Sequence, residues 1–203
     1  MLTAKRTELQ VWVGCLDCYN HGRLVGQWYD ASEVGALDIE QVHRDGGAGL
    51  TGLPSPDAYR WSPEGGDPEE LNEGHEGLWV FDHDGFCGLL RGECSPSEAQ
   101  QVAEVIGQLE MHEDVSALAT YVQHEGVDLD DSGLIERFRE AYCGEWESEV
   151  EYAQDLADDL GVLDADATWP CNYIDWDRAA RDLFIDDYWS VWVGGKVQVF
   201  HNG

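Results

Sequence analysis

The sequence predicts an α+β fold in three parts: an N-terminal part that mixes strands and helix, an acidic helical middle, and a C-terminal α+β part closed by a terminal hairpin. Three observations carry this. Alternating apolar and polar residues at both ends read as strands, whereas residues 95–160 place apolar residues at helical spacing. Two capping signatures, Ser95-Pro96-Ser97-Glu98 and Ser148-Glu149-Val150-Glu151, start helices in the middle of the chain. Charge follows the same division: residues 61–177 hold 31 acids against Arg91, Arg137 and Arg139, net −28, while residues 1–60 are net −3 and residues 178–203 net 0.

Taken in order, Leu9 to Cys15 alternates and reads as a strand, and a Gly-containing turn at Tyr19–Arg23 leads to a second strand, Leu24 to Tyr29, forming a hairpin. Val34, Leu37 and Val42 give helical spacing over Ser32–His43, weakened by Gly35. Residues 45–77 are rich in Gly and Pro with little periodicity and read as a long surface loop or insertion. Leu78–Asp82 is a third strand. The Ser95 helix carries Val102, Val105, Ile106 and Leu109 on one face. Val115, Leu118, Ala119 and Val122 mark a second helix closed by Gly126. Leu134, Phe138, Ala141 and Tyr142 mark a third, ending at Gly144. The fourth, from Ser148, has Tyr152, Ala153, Leu156, Ala157 and Leu160 inward and stops at Gly161. Asp175 caps a fifth, Trp176 to about Asp186. Strands Trp189–Val193 and Lys196–Phe200 flank Gly194-Gly195, a two-residue hairpin turn. The expected domains are 1–93, containing the 45–77 insertion, 94–143, which is acidic and helical, and 144–203.

Across 203 residues, 42 Asp plus Glu face 11 Lys plus Arg, for a net charge of −31. Direct nucleic-acid binding and an anionic membrane surface are both disfavoured, since each rewards Lys and Arg. Nine Trp, eight Tyr and five Phe supply a core that disordered acidic chains lack. No apolar run approaches a membrane span, and the first residues lack the apolar stretch of a signal peptide, so a cytoplasmic protein with six reduced cysteines is expected. Halophilic adaptation also enriches acids, but it would coat the whole surface, and the ends are near neutral.

On the fourth helix Glu147, Glu151, Asp155 and Asp159 recur every four residues and stack on one face, with Asp158 beside them. Like charges at this spacing cost roughly 0.2–0.5 kcal/mol per pair, so three successive pairs cost about 1 kcal/mol. No Lys or Arg lies between Glu140 and Asp177 to relieve it. Solubility requires far less charge, which points to a surface that attracts something basic. B-DNA carries one charge per about 1.7 Å of axis, so 28 net charges match about 48 Å of duplex, or about 14 base pairs.

Several motifs are then recognisable. Val13-Gly14-Cys15-Leu16 with Tyr19-Asn20, Gly22 and Gly26-Gln27-Trp28-Tyr29-Asp30 resembles the opening of the ArdA-type antirestriction proteins. Phe81-Asp82-His83-Asp84-Gly85-Phe86, Gly144-Glu145-Trp146, Tyr152-Ala153 with Leu156, and the run Tyr173-Ile174-Asp175-Trp176 through Ala180-Arg181-Asp182-Leu183-Phe184 to Asp187-Tyr188 agree with it. The resemblance implies a non-enzymatic DNA mimic from mobile genetic elements, an elongated homodimer of three small domains that binds type I restriction-modification enzymes, at their methyltransferase core, in place of DNA. Restriction is blocked, and modification too at sufficient concentration. By this resemblance Glu136, Glu140, Glu147, Glu151, Asp155, Asp158 and Asp159 stand in for phosphates, and Glu98, Glu104, Glu110, Glu113 and Asp114 extend the strip. The motif holding Tyr173, Asp175, Arg181, Asp182, Leu183, Phe184 and Tyr188 is assigned mainly to fold or dimer stability, with Arg181 placed to pair with Asp177. An acidic chaperone for another basic, DNA-binding partner is the alternative.

No cofactor or metal is expected. Cys15-Leu16-Asp17-Cys18 has the spacing of half a zinc or redox site, but no second close pair completes it, and the histidines show no metal pattern. Asp128–Gly133 resembles the start of a calcium loop, yet Arg139 stands at the twelfth position where a bidentate Glu is required. No carboxylate pair stands out for hydrolysis, and no phosphate loop or His-Glu-x-x-His is present.

Overall fold

The computed structural model describes residues 8–20, 22–46, 75, 77–110, 114–163 and 173–203. Most of the expected insertion, together with Glu113, Cys171, His21 and His112, lies outside the described residues. The chain divides into two compact units between Ala119 and Thr120.

In the first unit, β1 (Gln10–Cys15) is the centre of a three-stranded antiparallel sheet, between β2 (Gly26–Asp30) and β3 (Leu78–Asp84). The period-two pattern sends Val11, Val13 and Cys15 into the core, where they are almost completely buried. On the opposite face the Trp12 ring covers Gly14 and Gly26; a Cβ at Gly14 would lie 2.6 Å from that ring. One helical turn, α1 (Leu16–Asn20), runs straight off β1, and the Arg23 amide donates to the Cys18 carbonyl (2.9 Å), turning the chain toward β2. The hairpin expected from the sequence is present, with this turn inside it.

The single helix expected over Ser32–His43 is instead a 3₁₀ turn at Val34–Ala36 followed by α2 (Ile39–Gly46). Leu37 is extended (φ −66°, ψ 139°), and Asp38 restarts the helix by accepting from the Gln41 amide at 2.7 Å. Local side-chain hydrogen bonding of Asp wins over helical continuity here. α3 (Pro96–Gly107) forms as expected: Ser95 accepts from the Glu98 amide (3.2 Å), and the Glu98 carboxylate accepts from the Ser95 amide (2.8 Å). Ala99, Val102, Ala103 and Ile106 form its buried face.

α4 (Val115–Glu125) crosses the boundary between the units and closes at Gly126, whose φ of +64° suits glycine. In the second unit follow α5 (Leu134–Ala141), β4 (Tyr142–Trp146), α6 (Glu149–Asp159), α7 (Trp176–Asp186), β5 (Tyr188–Val193) and β6 (Lys196–His201). The sheet order is β4-β6-β5. The third helix does not reach Gly144, because Tyr142–Trp146 pairs with β6 as an irregular antiparallel strand, Tyr142 opposite Phe200 and Trp146 opposite Val197. A partner more than fifty residues away decides this strand, so helical periodicity could not reveal it. Gly194 and Gly195, at φ +61° and +94°, make the expected tight turn. Tyr152, Val197 and Val199 centre the core, with Cys143, Trp146, Leu156, Leu183, Phe184 and Tyr188 packed against them. Among the described residues no helix is long and apolar enough to cross a membrane.

Candidate functional site

The acids expected to stand in for phosphates divide by what they hold. All those described are exposed. On α3, Glu98 is committed to the capping box, and Glu104 accepts from the Gln100 side-chain amide at 2.8 Å. Asp114 accepts from the Ser116 amide at the start of α4. Glu110 is also exposed and partnered, and Glu113 lies outside the described residues.

Around α6 the geometry departs from four acids stacked on one helical face. Glu147 precedes the helix, which is capped by Ser148 accepting from the Glu151 amide at 3.1 Å. The Glu151 carboxylate reaches back to the Glu147 amide (2.7 Å), one residue before the cap, so the reciprocal bond of the expected capping box lands on Glu147. Nor is the acidic run unrelieved. β6 brings Lys196 to Glu145 (3.2 Å) and Glu147 (3.8 Å), and the Glu145 contact first, then its charge and that of Glu147, raise the Lys196 pKa. Asp155, Asp158 and Asp159 on α6, and Glu136 and Glu140 on α5, are exposed without a hydrogen-bond or ion-pair partner among the described residues. Four exposed carboxylates on α6, Glu151, Asp155, Asp158 and Asp159, span about 12 Å of helix, or about 4 Å between successive acids, against one charge per about 3.4 Å on a DNA strand.

The C-terminal motif splits in two. Asp175 caps α7 by accepting from the Arg178 amide (3.1 Å), and Leu183, Phe184 and Tyr188 pack on the core around Tyr152. Arg181, Asp182 and Tyr173 are exposed, Tyr173 to 79%. The four-residue ion pair shown on this helix joins Arg178 to Asp182 at 4.0 Å, in place of the expected Arg181 with Asp177. In the loop that resembles a calcium site, Asp131 is occupied by Arg137 (2.8 Å) and the Gly133 amide (2.9 Å). These bonds hold its carboxyl below the usual range.

A second cluster lies in the first unit. Cys15 ends β1, Cys18 is on α1, His43 is on α2, and His75 precedes β3; one ligand atom from each converges within 4.8 Å of every other. His75 Nδ1 is 3.3 Å from Cys15 Sγ and 3.7 Å from Cys18 Sγ, and His43 Nε2 is 3.7 Å from Cys18 Sγ and 3.4 Å from His75 Nδ1. Burial works to raise the Cys15 thiol, but contacts with His43, the Cys18 amide and thiol, and His75 outweigh it and bring it down to about 6. Burial first, and then the neighbouring Cys15 charge, push Cys18 up to about 12. The elements are held in place by neighbours. Tyr29 donates to Asp45 (3.1 Å), α2 ends at Gly46, which lies so close to β2 that a Cβ would be 2.6 Å from the Gly26 amide nitrogen, and Leu16 donates to the Gly77 carbonyl at 3.2 Å.

The family model described as antirestriction protein (ArdA) matches residues 11–198. The chain belongs to the ArdA antirestriction family. No curated protein sequence matches it.

The ArdA match spans both the acidic helices and the cysteine–histidine cluster. Sequence reasoning missed His43, His75 and Lys196 because the partners of the histidines are 25 to 60 residues away and those of Lys196 lie on and just after β4, which only pairing with β6 brings near. One signal was available: His43 and His75 sit at either end of the Gly/Pro-rich stretch, so closing that stretch brings them together.

Proposed function

We propose that this ArdA-family chain is a DNA mimic that occupies the DNA-binding groove of type I restriction-modification enzymes at their methyltransferase core. It blocks restriction and, at higher concentration, modification. The observation that carries the reading is the group of exposed, unpartnered carboxylates on α5 and α6, Glu136, Glu140, Asp155, Asp158 and Asp159. Together with Glu151, those on α6 recur at about 4 Å along the helix, close to the spacing of a phosphate strand.

The mechanism is competition by charge. Lys and Arg that line a DNA groove are unpaired until DNA arrives, and carboxylates held on rigid helices meet them without an ordering cost. Glu98, Asp114, Glu147 and Glu151 contribute field, but each also holds a helix start or an ion pair. The direct contacts therefore fall first on the uncommitted acids. No chemistry on a substrate is involved, since the effect requires only occupancy.

A homodimer belongs to the same reading. Leu160, Val162, Tyr173, Ile185 and Trp192 are large apolar residues exposed on the second unit, which supports burial against another copy. Mixing the purified protein with a type I methyltransferase core and labelled competitor DNA tests the proposal. Displacement of DNA at low salt, weakening as salt rises, is expected. Failure to displace DNA at low salt refutes it, and recovery of basic nucleoid proteins without restriction subunits would favour an acidic chaperone.

A further inference from the structure

We propose that Cys15, Cys18, His43 and His75 form a structural zinc site that clamps the two ends of the Gly/Pro-rich segment to the first β-sheet. The argument is geometric and independent of the antirestriction reading. With Zn–S of about 2.3 Å and Zn–N of about 2.05 Å, a tetrahedron requires about 3.3 Å between nitrogens and about 3.6 Å between sulfur and nitrogen. The nitrogens are 3.4 Å apart, and the sulfur–nitrogen separations are 3.3, 3.7 and 3.7 Å. Four of the six separations among the donors thus match those of a zinc tetrahedron, and the remaining two lie within 4.8 Å.

The surroundings fit a structural site. Two thiolates and two imidazoles make a closed set of four with no position left for substrate, and this ligand softness selects zinc over magnesium or calcium. Both cysteines are buried and both histidines partly so. The Cys18 amide points at Cys15 Sγ (3.5 Å), the outer hydrogen bond that steadies a ligating thiolate. Both thiols are free of disulfide.

The placement gives the ion a task. His43 lies three residues before the end of α2, and His75 lies three residues before β3. A metal held by both histidines and by the β1–α1 corner ties the end of α2 to the approach to β3. The entropic cost of bringing such distant ends together is then met by coordination.

The test uses the full, untagged chain purified under reducing conditions, with metal content measured by mass spectrometry and zinc replaced by Co²⁺ alone. One equivalent of zinc per chain is expected, and the cobalt form should show thiolate-to-cobalt charge transfer with tetrahedral visible bands. Cys18→Ser and His43→Ala should lose the equivalent, Cys87→Ser should keep it, and His43→Cys should keep it with stronger charge transfer. The wild-type cobalt spectrum decides the matter even if a ligand variant fails to fold. A folded, reduced chain that takes up no stoichiometric zinc or cobalt overturns the proposal. So does an octahedral cobalt spectrum without charge transfer, or full binding by folded Cys18→Ser.

Discussion

Replacing Asp155, Asp158 and Asp159 together by Asn removes three negative charges from α6 with little change of shape. Each is exposed and holds no other group in place among the described residues, so the fold has little to lose. It has something to gain: the like-charge pairs Glu151–Asp155, Asp155–Asp158 and Asp155–Asp159 disappear, worth about 0.2–0.5 kcal/mol each. Asp158 and Asp159 also sit at the C-terminal end of the helix, where the dipole disfavours anions. The melting temperature should therefore hold or rise slightly. Binding moves the other way. An ion pair at about 4 Å in water is worth about 1 kcal/mol, so three lost contacts amount to about 3 kcal/mol, or about 100-fold in affinity at low salt. DNA displacement from a methyltransferase core at two salt concentrations is the assay. Unchanged displacement by a folded triple variant would refute the assignment of these acids as phosphate surrogates.

Other perturbations separate stability from function. Ser95→Ala removes the α3 cap and should cost about 1 kcal/mol, read as a melting point lower by a few degrees with DNA competition unchanged. Asp131 has its carboxyl lowered in the fold by Arg137 and the Gly133 amide, so its contribution is present above the ordinary carboxylate range and lost as pH falls through the lower folded value. Asp131→Asn should accordingly flatten the part of the acid-unfolding profile below about pH 4. Gly46→Ala forces a Cβ onto the β2 backbone and should destabilise the first unit by about 1–3 kcal/mol while weakening zinc retention, measured by denaturation and metal analysis.

What was legible in the sequence was what local chemistry decides. The Ser95 capping box, the Asp175 cap, the Gly126 stop and the Gly194-Gly195 turn all depend on residues within a few positions of one another, and each is where the pattern placed it. β4 was not legible, since Tyr142 continues an apolar helical stripe and only pairing with Phe200 makes it a strand. The same limit hid the relief of the acidic run by Lys196 and the meeting of His43 with His75. In the candidate site the residue types could be read, and the cap commitment of Glu98 with them, but not that Glu104 accepts from Gln100 or that Glu147 lies beside Lys196 on a strand about fifty residues away.

The difference between committed and uncommitted acids sharpens how an acidic surface can act. A net charge of −31 creates a field to which every acid contributes, which steers a basic partner regardless of detail. Once contact is made, an arginine that takes a carboxylate from a helix cap must repay the lost cap bond, whereas one that takes Asp155 or Glu140 repays nothing and relieves repulsion already present in the free protein. The repulsive pairs on α6 are therefore a strain that is cancelled only when cations bind. Part of the cost of assembling the mimic is carried by the free state, and the complex gains by its release, so neutralising the uncommitted acids should weaken binding while making the protein alone more stable. Neutralising the committed ones should lower stability first. Opposite signs from two sets of acids of the same charge would distinguish a contact surface from a field that merely surrounds the molecule.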